Sequence, residues 1–168
     1  FDRMLHRVSE VCEGLLWCEG RKVMHDKMLV TYVINLKRST ERMENMDRAL
    51  KAMQVGYERV EGVDAQLLSE VLLSRNATPS VEYPYELTKG ELACFYSHRK
   101  CWEMLVNSQH EWALVLEDHC EFSEAAGRYL RSADWLPSEC ELVQLIYSDK
   151  ACFADEKKPL DDGNSLVK

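Results

Sequence analysis

The sequence predicts an α/β fold built on a mostly parallel sheet. Three observations carry that prediction. Residues 29–36 and 112–116 are nearly continuous apolar runs, the first rich in β-branched and aromatic side chains. The stretches between such runs repeat their apolar residues at helical spacing. Capping residues stand where those stretches begin. Strands that alternate with helices build parallel sheets covered on both faces.

Each element follows in order. Residues 1–27 read as an appendage: Val8, Val11, Cys12, Leu15 and Leu16 recur at helical spacing, and Gly20 ends the short amphipathic helix they predict. Residues 29–36 form the first strand. Ser39 or Thr40 caps a helix whose stripe is Met43, Met46, Leu50 and Met53, and Gly56 is expected to stop it. Residues 57–63 alternate apolar and charged, a second strand, which completes a β-α-β unit within about 35 residues. A short helix is expected over 65–75 on Leu67, Leu68, Val71 and Leu72, then a loop over 76–86 containing Pro79 and Pro84. Thr88 and Glu91 form a capping box opening a helix to about residue 107, with Leu92, Phe95, Trp102 and Leu105 on its apolar face. Residues 112–116 give the next strand. Ser123 is expected to cap a helix over 124–134, Pro137 breaks the chain, and 141–147 alternate into a further strand. The last stretch, 149–168, carries Pro159, Asp161, Asp162 and Gly163 and reads as a polar tail or loop. The organisation is thus an appendage (1–27), a core domain (28–148) and a tail (149–168).

The 168 residues suit one domain. A formal charge of -8 argues against non-specific nucleic-acid binding, which needs a basic footprint. No apolar run approaches the roughly 20 residues of a membrane span, and no secretory leader pattern is visible. Seven cysteines occur without a C-x-x-C pair, which argues against a zinc knuckle or a thioredoxin-like motif. An odd number without a framework reads as free thiols in a reducing compartment. Cys94 and Cys101 lie seven apart, on one face of the predicted helix.

In open α/β sheets ligands bind beyond the carboxyl ends of strands. The first strand ends in Asn35, Leu36, Lys37 and Arg38, with Arg42 one helical turn on. Guanidinium groups beside a helix N-terminus suit phosphate oxygens; the plainer alternative is ordinary first-turn surface charge. The 112–116 strand ends in Glu117, Asp118, His119, Cys120 and Glu121. Carboxylates beside an imidazole suit a hard divalent cation, which would neutralise a diphosphate; the alternative is a polar turn. Ser97 and His98 are adjacent on a helix and point apart, so they make no catalytic pair, and a lone helical histidine such as His98 is more commonly a satisfied core residue.

Three blocks in order resemble glycosyltransferase family 25. The first is Tyr32, Val33, Ile34, Asn35, Leu36, Lys37, Arg38 with Arg42, then Val60, Glu61, Gly62, Val63, Asp64, Ala65. The second runs Leu87, Thr88, Lys89, Gly90, Glu91, Leu92, Ala93, Cys94, with Ser97, His98 and Trp102; the third is Ala113, Leu114, Val115, Leu116, Glu117, Asp118. The resemblance implies a Rossmann-like, GT-A-type half that binds a UDP-sugar donor, UDP-galactose first. The acceptor it implies is a lipopolysaccharide-type glycan, or collagen hydroxylysine in eukaryotic relatives. It implies donor contacts from Asn35, Leu36, Arg38, Arg42, Lys89, Glu91, Ser97, His98 and Glu117. It also implies a divalent cation, manganese first, held by Asp118 and His119. The family pattern is Glu-Asp-Asp, so His119 departs from it and makes a catalytically degenerate binding module the rival expectation. No general base is identifiable, and acceptor-side elements are expected outside this sequence. The implied location is cytoplasmic, with peripheral contact at the inner face of a membrane, or the ER lumen for a eukaryotic chain.

Overall fold

The computed structural model describes residues 29–72, 86–136, 140–143, 145, 157–159 and 165–167. The chain divides into two units, residues 1–136 and 137–168. In the first unit the elements run β1 (Leu29–Asn35), α1 (Thr40–Ala52), β2 (Glu58–Glu61), a 3-10 turn (Ala65–Leu67), α2 (Lys89–Val106), β3 (Trp112–Glu117) and α3 (Ala126–Leu130). The sheet has the order β2-β1-β3, with both pairings parallel. The expected neighbours are adjacent: Leu29 pairs with Trp112, and Ile34 with Glu117.

β1 is central, and its alternation explains why it is apolar throughout. Val33 points to one face, where α1 supplies Met46 and Leu50, and Val55, Leu116 and Leu130 complete the cluster. Tyr32 and Ile34 point to the other, with Val60 and with Cys101 from α2. A strand covered on both sides needs no polar face. Two charged ends remain in reach of solvent at the carboxyl edge, where the loops after β1 and β3 meet.

Helix α1 ends differently from the sequence expectation. Gly56 was expected to stop it, but Gln54 takes the left-handed turn at φ 58. Val55 N–H bonds Leu50 O at 2.9 Å and Gln54 N–H bonds Lys51 O at 3.0 Å, which is the Schellman pattern. Val55 and Leu50 are packed in the same cluster, so the apolar clamp that accompanies this cap holds a non-glycine residue in its strained position. Gly56 lies two residues past the true stop.

Other boundaries also shift. The helix expected over 65–75 is a 3-10 turn, Ala65–Leu67, followed by a separate helical turn from residue 70; Asp64 caps the first and Ser69 Oγ accepts Leu72 N–H in the second. These short capping side chains compete with a continuous helix. The helix expected over 124–134 shrinks to α3. Its N-cap is Ala125, with no side-chain bond, and Ser123 contributes only its carbonyl, to Ala126 N–H. Within 141–147, the described residues 141–143 and 145 are not in a strand. A period-2 pattern alone does not make a strand without a partner edge. The second unit instead holds an antiparallel pair, β4 (Lys157–Pro159) with β5 (Ser165–Val167), inside the stretch read as tail or loop. The appendage helix and the 76–85 part of the loop lie outside the described residues.

The capping box on α2 is complete. Thr88 Oγ1 accepts Glu91 N–H at 3.2 Å, and Glu91 Oε2 accepts Thr88 N–H at 2.8 Å. Thr88→Ala should therefore lower unfolding stability by about 0.5–2 kcal/mol. Urea denaturation of the two proteins measures it.

Candidate functional site

The carboxyl ends of β1 and β3 are joined through one buried side chain. Asn35 is 1% exposed, and every hydrogen-bonding group of its amide is engaged. Nδ2 donates to Ser39 O at 2.9 Å and to Asp118 Oδ2 at 2.7 Å, and Oδ1 accepts from Arg59 Nε at 3.0 Å. The backbone follows: Gly62 N–H bonds Asn35 O at 3.0 Å, and Asp118 N–H bonds Ile34 O at 3.1 Å. Gly62 is small for a reason, since a Cβ there would lie 3.2 Å from Ile34 Cγ2 and 3.4 Å from Leu36 Cδ2. Leu36 is half-buried and closes the turn to α1 through Ser39 N–H to Leu36 O at 2.9 Å.

Around this joint stand the charged groups. Arg42, on the first turn of α1, approaches Asp118 Oδ1 at 3.5 Å; the Asp118 side chain is only 9% exposed, whereas Arg42 is 61% exposed. Arg38 pairs with Asp64. His119 is exposed, with Nδ1 3.7 Å from Glu117 Oε2 and 3.8 Å from Asp118 Oδ1. Asn35, Leu36, Arg42, Glu117, Asp118 and His119 are thus brought together, and Arg38 flanks them.

Glu117 faces α2. Its Oε1 lies 3.2 Å from His98 Nε2 and 3.6 Å from Cys94 Sγ. The His98 bond is the leading cause that draws the Glu117 carboxyl below its ordinary value of 4.5; burial opposes it, and the charges of His98 and His119 and the Cys94 hydrogen bond reinforce it. Burial, then the charge and hydrogen bond of Glu117, push the Cys94 thiol up to about 11. The ligand atoms of Cys94, His98 and Glu117 all lie within 4.8 Å of one another, so these three can hold a metal ion. Asp118 and His119 are the pair expected from sequence to hold the cation. Asp118 Oδ1 and His119 Nδ1 converge, and an exposed imidazole can turn toward the carboxylate. Arg42 shares that oxygen and would have to give way.

Three expected donor residues have structural partners. Ser97 is buried, donates to Ala93 O at 2.7 Å and accepts Val63 N–H at 2.8 Å, so it ties the loop after β2 to α2. Lys89 pairs with Glu70 at 2.5 Å, and Glu91 is spent in the cap. Both lie on the first turn of α2, roughly 10–14 Å along the axis from His98. Sequence reasoning missed Arg59, Asp64 and Cys94. Arg59 and Asp64 carry no local signal, since their partners lie 24 and 26 positions away in the numbering. Cys94 could have been found, because it lies one helical turn before His98.

Residues 28–161 match the family model described as "Glycosyltransferase family 25 (LPS biosynthesis protein)". The chain belongs to glycosyltransferase family 25. Its three-stranded parallel sheet between helices is the α/β arrangement of a Rossmann-like glycosyltransferase domain. A Drosophila melanogaster "Glycosyltransferase 25 family member" is 33% identical over 147 residues, covering 81% of this chain and 23% of the relative. Mouse "Procollagen galactosyltransferase 2" is 33% identical over 105 residues, 59% of this chain and 17% of the relative. Human "Inactive glycosyltransferase 25 family member 3" is 32% identical over 139 residues, 79% and 23% respectively. The chain therefore spans less than a quarter of the length of these relatives.

The depressed Glu117 acidity has a testable sign. A carboxyl held below 4.5 in the folded state contributes stability that is present above pH 4.5 and lost as pH falls through the lower folded value. Glu117→Gln should be less stable than the native sequence at neutral pH, and the difference should shrink below pH 4.5. Thermal denaturation across pH checks this; a difference that grows on acidification contradicts it.

Proposed function

We propose that this chain carries the donor-binding half of a glycosyltransferase that moves a hexose, galactose first, from a UDP-sugar to an acceptor hydroxyl. The observation that carries the proposal is the Asn35 joint, which packs the turn after β1 and the acidic end of β3 into one place where strands end. Ser39 makes no side-chain cap bond to α1, in contrast to the full box on α2, so amides of its first turn are free of a side-chain cap and suit phosphate oxygens. Arg38 and Arg42, both half exposed or more, complete the anion-binding groups. Asp118 and His119 would hold the divalent cation, manganese in this proposal, whose part is to offset charge on the leaving diphosphate. Glu117 and His98 border the same end of the sheet and would line the donor.

For the acceptor, the names of the procollagen galactosyltransferase relatives favour a procollagen-type hydroxyl over a lipopolysaccharide glycan. A procollagen acceptor favours the secretory lumen over the cytoplasmic face. No helix among the described residues is long and apolar enough to cross a membrane. A second proposal, a donor-binding module without turnover, is favoured by His119 in the third acidic position and by relatives of comparable identity named inactive.

Calorimetric titration of UDP with manganese or with chelator tests the proposal. Manganese should tighten UDP binding. Asp118→Asn should remove most of that dependence, and His119→Asp should preserve or strengthen it. Equal binding in chelator contradicts the cation assignment. UDP binding without hydrolysis of UDP-galactose selects the module over the enzyme.

A further inference from the structure

The geometry points to a second, thiophilic metal site formed by Cys94, His98 and Glu117, suited to zinc and distinct from the hard-cation pair Asp118 and His119. Cys94 and His98 are four residues apart on α2, so one helix face presents a sulfur and a nitrogen ligand one turn apart. Glu117, the last residue of β3, brings an oxygen between them. A tetrahedral zinc with bonds of about 2.3 Å to sulfur and about 2.0–2.2 Å to nitrogen and oxygen separates its ligand atoms by roughly 3.4–3.6 Å. Glu117 Oε1 lies 3.2 Å from His98 Nε2 and 3.6 Å from Cys94 Sγ, and no pair of the three atoms exceeds 4.8 Å. The two edges that meet at Glu117 are already close to those of a zinc tetrahedron, and the third, from Cys94 to His98, closes by a side-chain adjustment within one helical turn.

Access and ligand chemistry agree. All three side chains are half-buried, so an ion reaches them from solvent and water can take the fourth position. A thiolate, an imidazole and one carboxylate favour zinc over manganese or magnesium, which prefer oxygen. Binding forms the metal–sulfur bond as the Cys94 thiol proton, now shared with Glu117, leaves to solvent. Glu117 Oε2 faces His119 instead, so the two sites meet across one carboxylate without using the same oxygen. The bound ion would fasten α2 to β3 at the edge where the donor is proposed to bind.

Cobalt(II) is the probe, titrated into the reduced full chain. One equivalent should develop sulfur-to-cobalt charge-transfer absorption with intense tetrahedral bands, and zinc should displace it. Cys94→Ser should abolish the sulfur band, His98→Ala should weaken cobalt binding by roughly tenfold or more, and Asp118→Asn should leave both unchanged. Absence of a sulfur band in the native sequence overturns the site, as does a band that survives Cys94→Ser and therefore comes from another cysteine. If Cys94→Ser does not fold, His98→Ala decides: it keeps the thiol, and wild-type cobalt affinity in that variant overturns the proposal. Loss of cobalt binding in a folded Asp118→Asn chain would also overturn it, by showing one shared cation. Manganese-dependent UDP binding is measured separately, so either result stands without the other.

Discussion

The rest of the structure depends on a buried amide with all its hydrogen bonds made. Asn35 ends the central strand, and burying an unpaired amide there would cost about 1–3 kcal/mol. Its two donor bonds fix the start of α1 and the acidic turn after β3, and its acceptor takes Arg59 from β2. Three strands and one helix are thereby set at their carboxyl edge by a single side chain. The arrangement also explains how Asp118 tolerates burial, since one oxygen is held by Asn35 and the other faces Arg42.

The two faces of β1 then divide the labour. On one, α1 and the start of α3 enclose Val33, and Gly127 packs against Met53 with a hypothetical Cβ 3.3 Å from Met53 Cβ. On the other, α2 lays Cys101 against Tyr32 and Ile34 and carries Cys94 and His98 to Glu117. Packing by α2 therefore does two things at once: its lower turns cover the sheet, and its middle turn builds half of a polar cluster. His119, largely exposed, stands between the two groups, with Nδ1 3.7 Å from Glu117 Oε2 and 3.8 Å from Asp118 Oδ1.

Much of this was legible in the sequence where a signal was local. Continuous apolar runs gave β1 and β3 as neighbours, and Thr88 with Glu91 gave the start of α2 to the residue. The strand ends at Asn35 and at Glu117 and Asp118 pointed to one edge because parallel strands share it. What was not legible depended on tertiary context. The stop of α1 falls at Gln54 because Leu50 and Val55 clamp it, a contact no propensity reports. Alternation over 141–147 suggested a strand, but pattern alone cannot supply a pairing edge. The hydrogen bonds of Ser97 to Ala93 and Val63 were equally illegible, because motif matching does not report a structural tie across 34 positions. The seven-residue spacing of Cys94 to Cys101 marks one helix face, while the informative spacing is four, from Cys94 to His98.

If Asn35 and Asp118 act as one unit, their removal must be non-additive. A double-mutant cycle on unfolding free energy, with Asn35→Ala, Asp118→Ala and the double variant, measures this most directly. A coupling of about 0.5–3 kcal/mol is expected, with the double variant less destabilised than the two single losses summed. Effects that add to within about 0.5 kcal/mol would contradict it, since two independent residues behave that way.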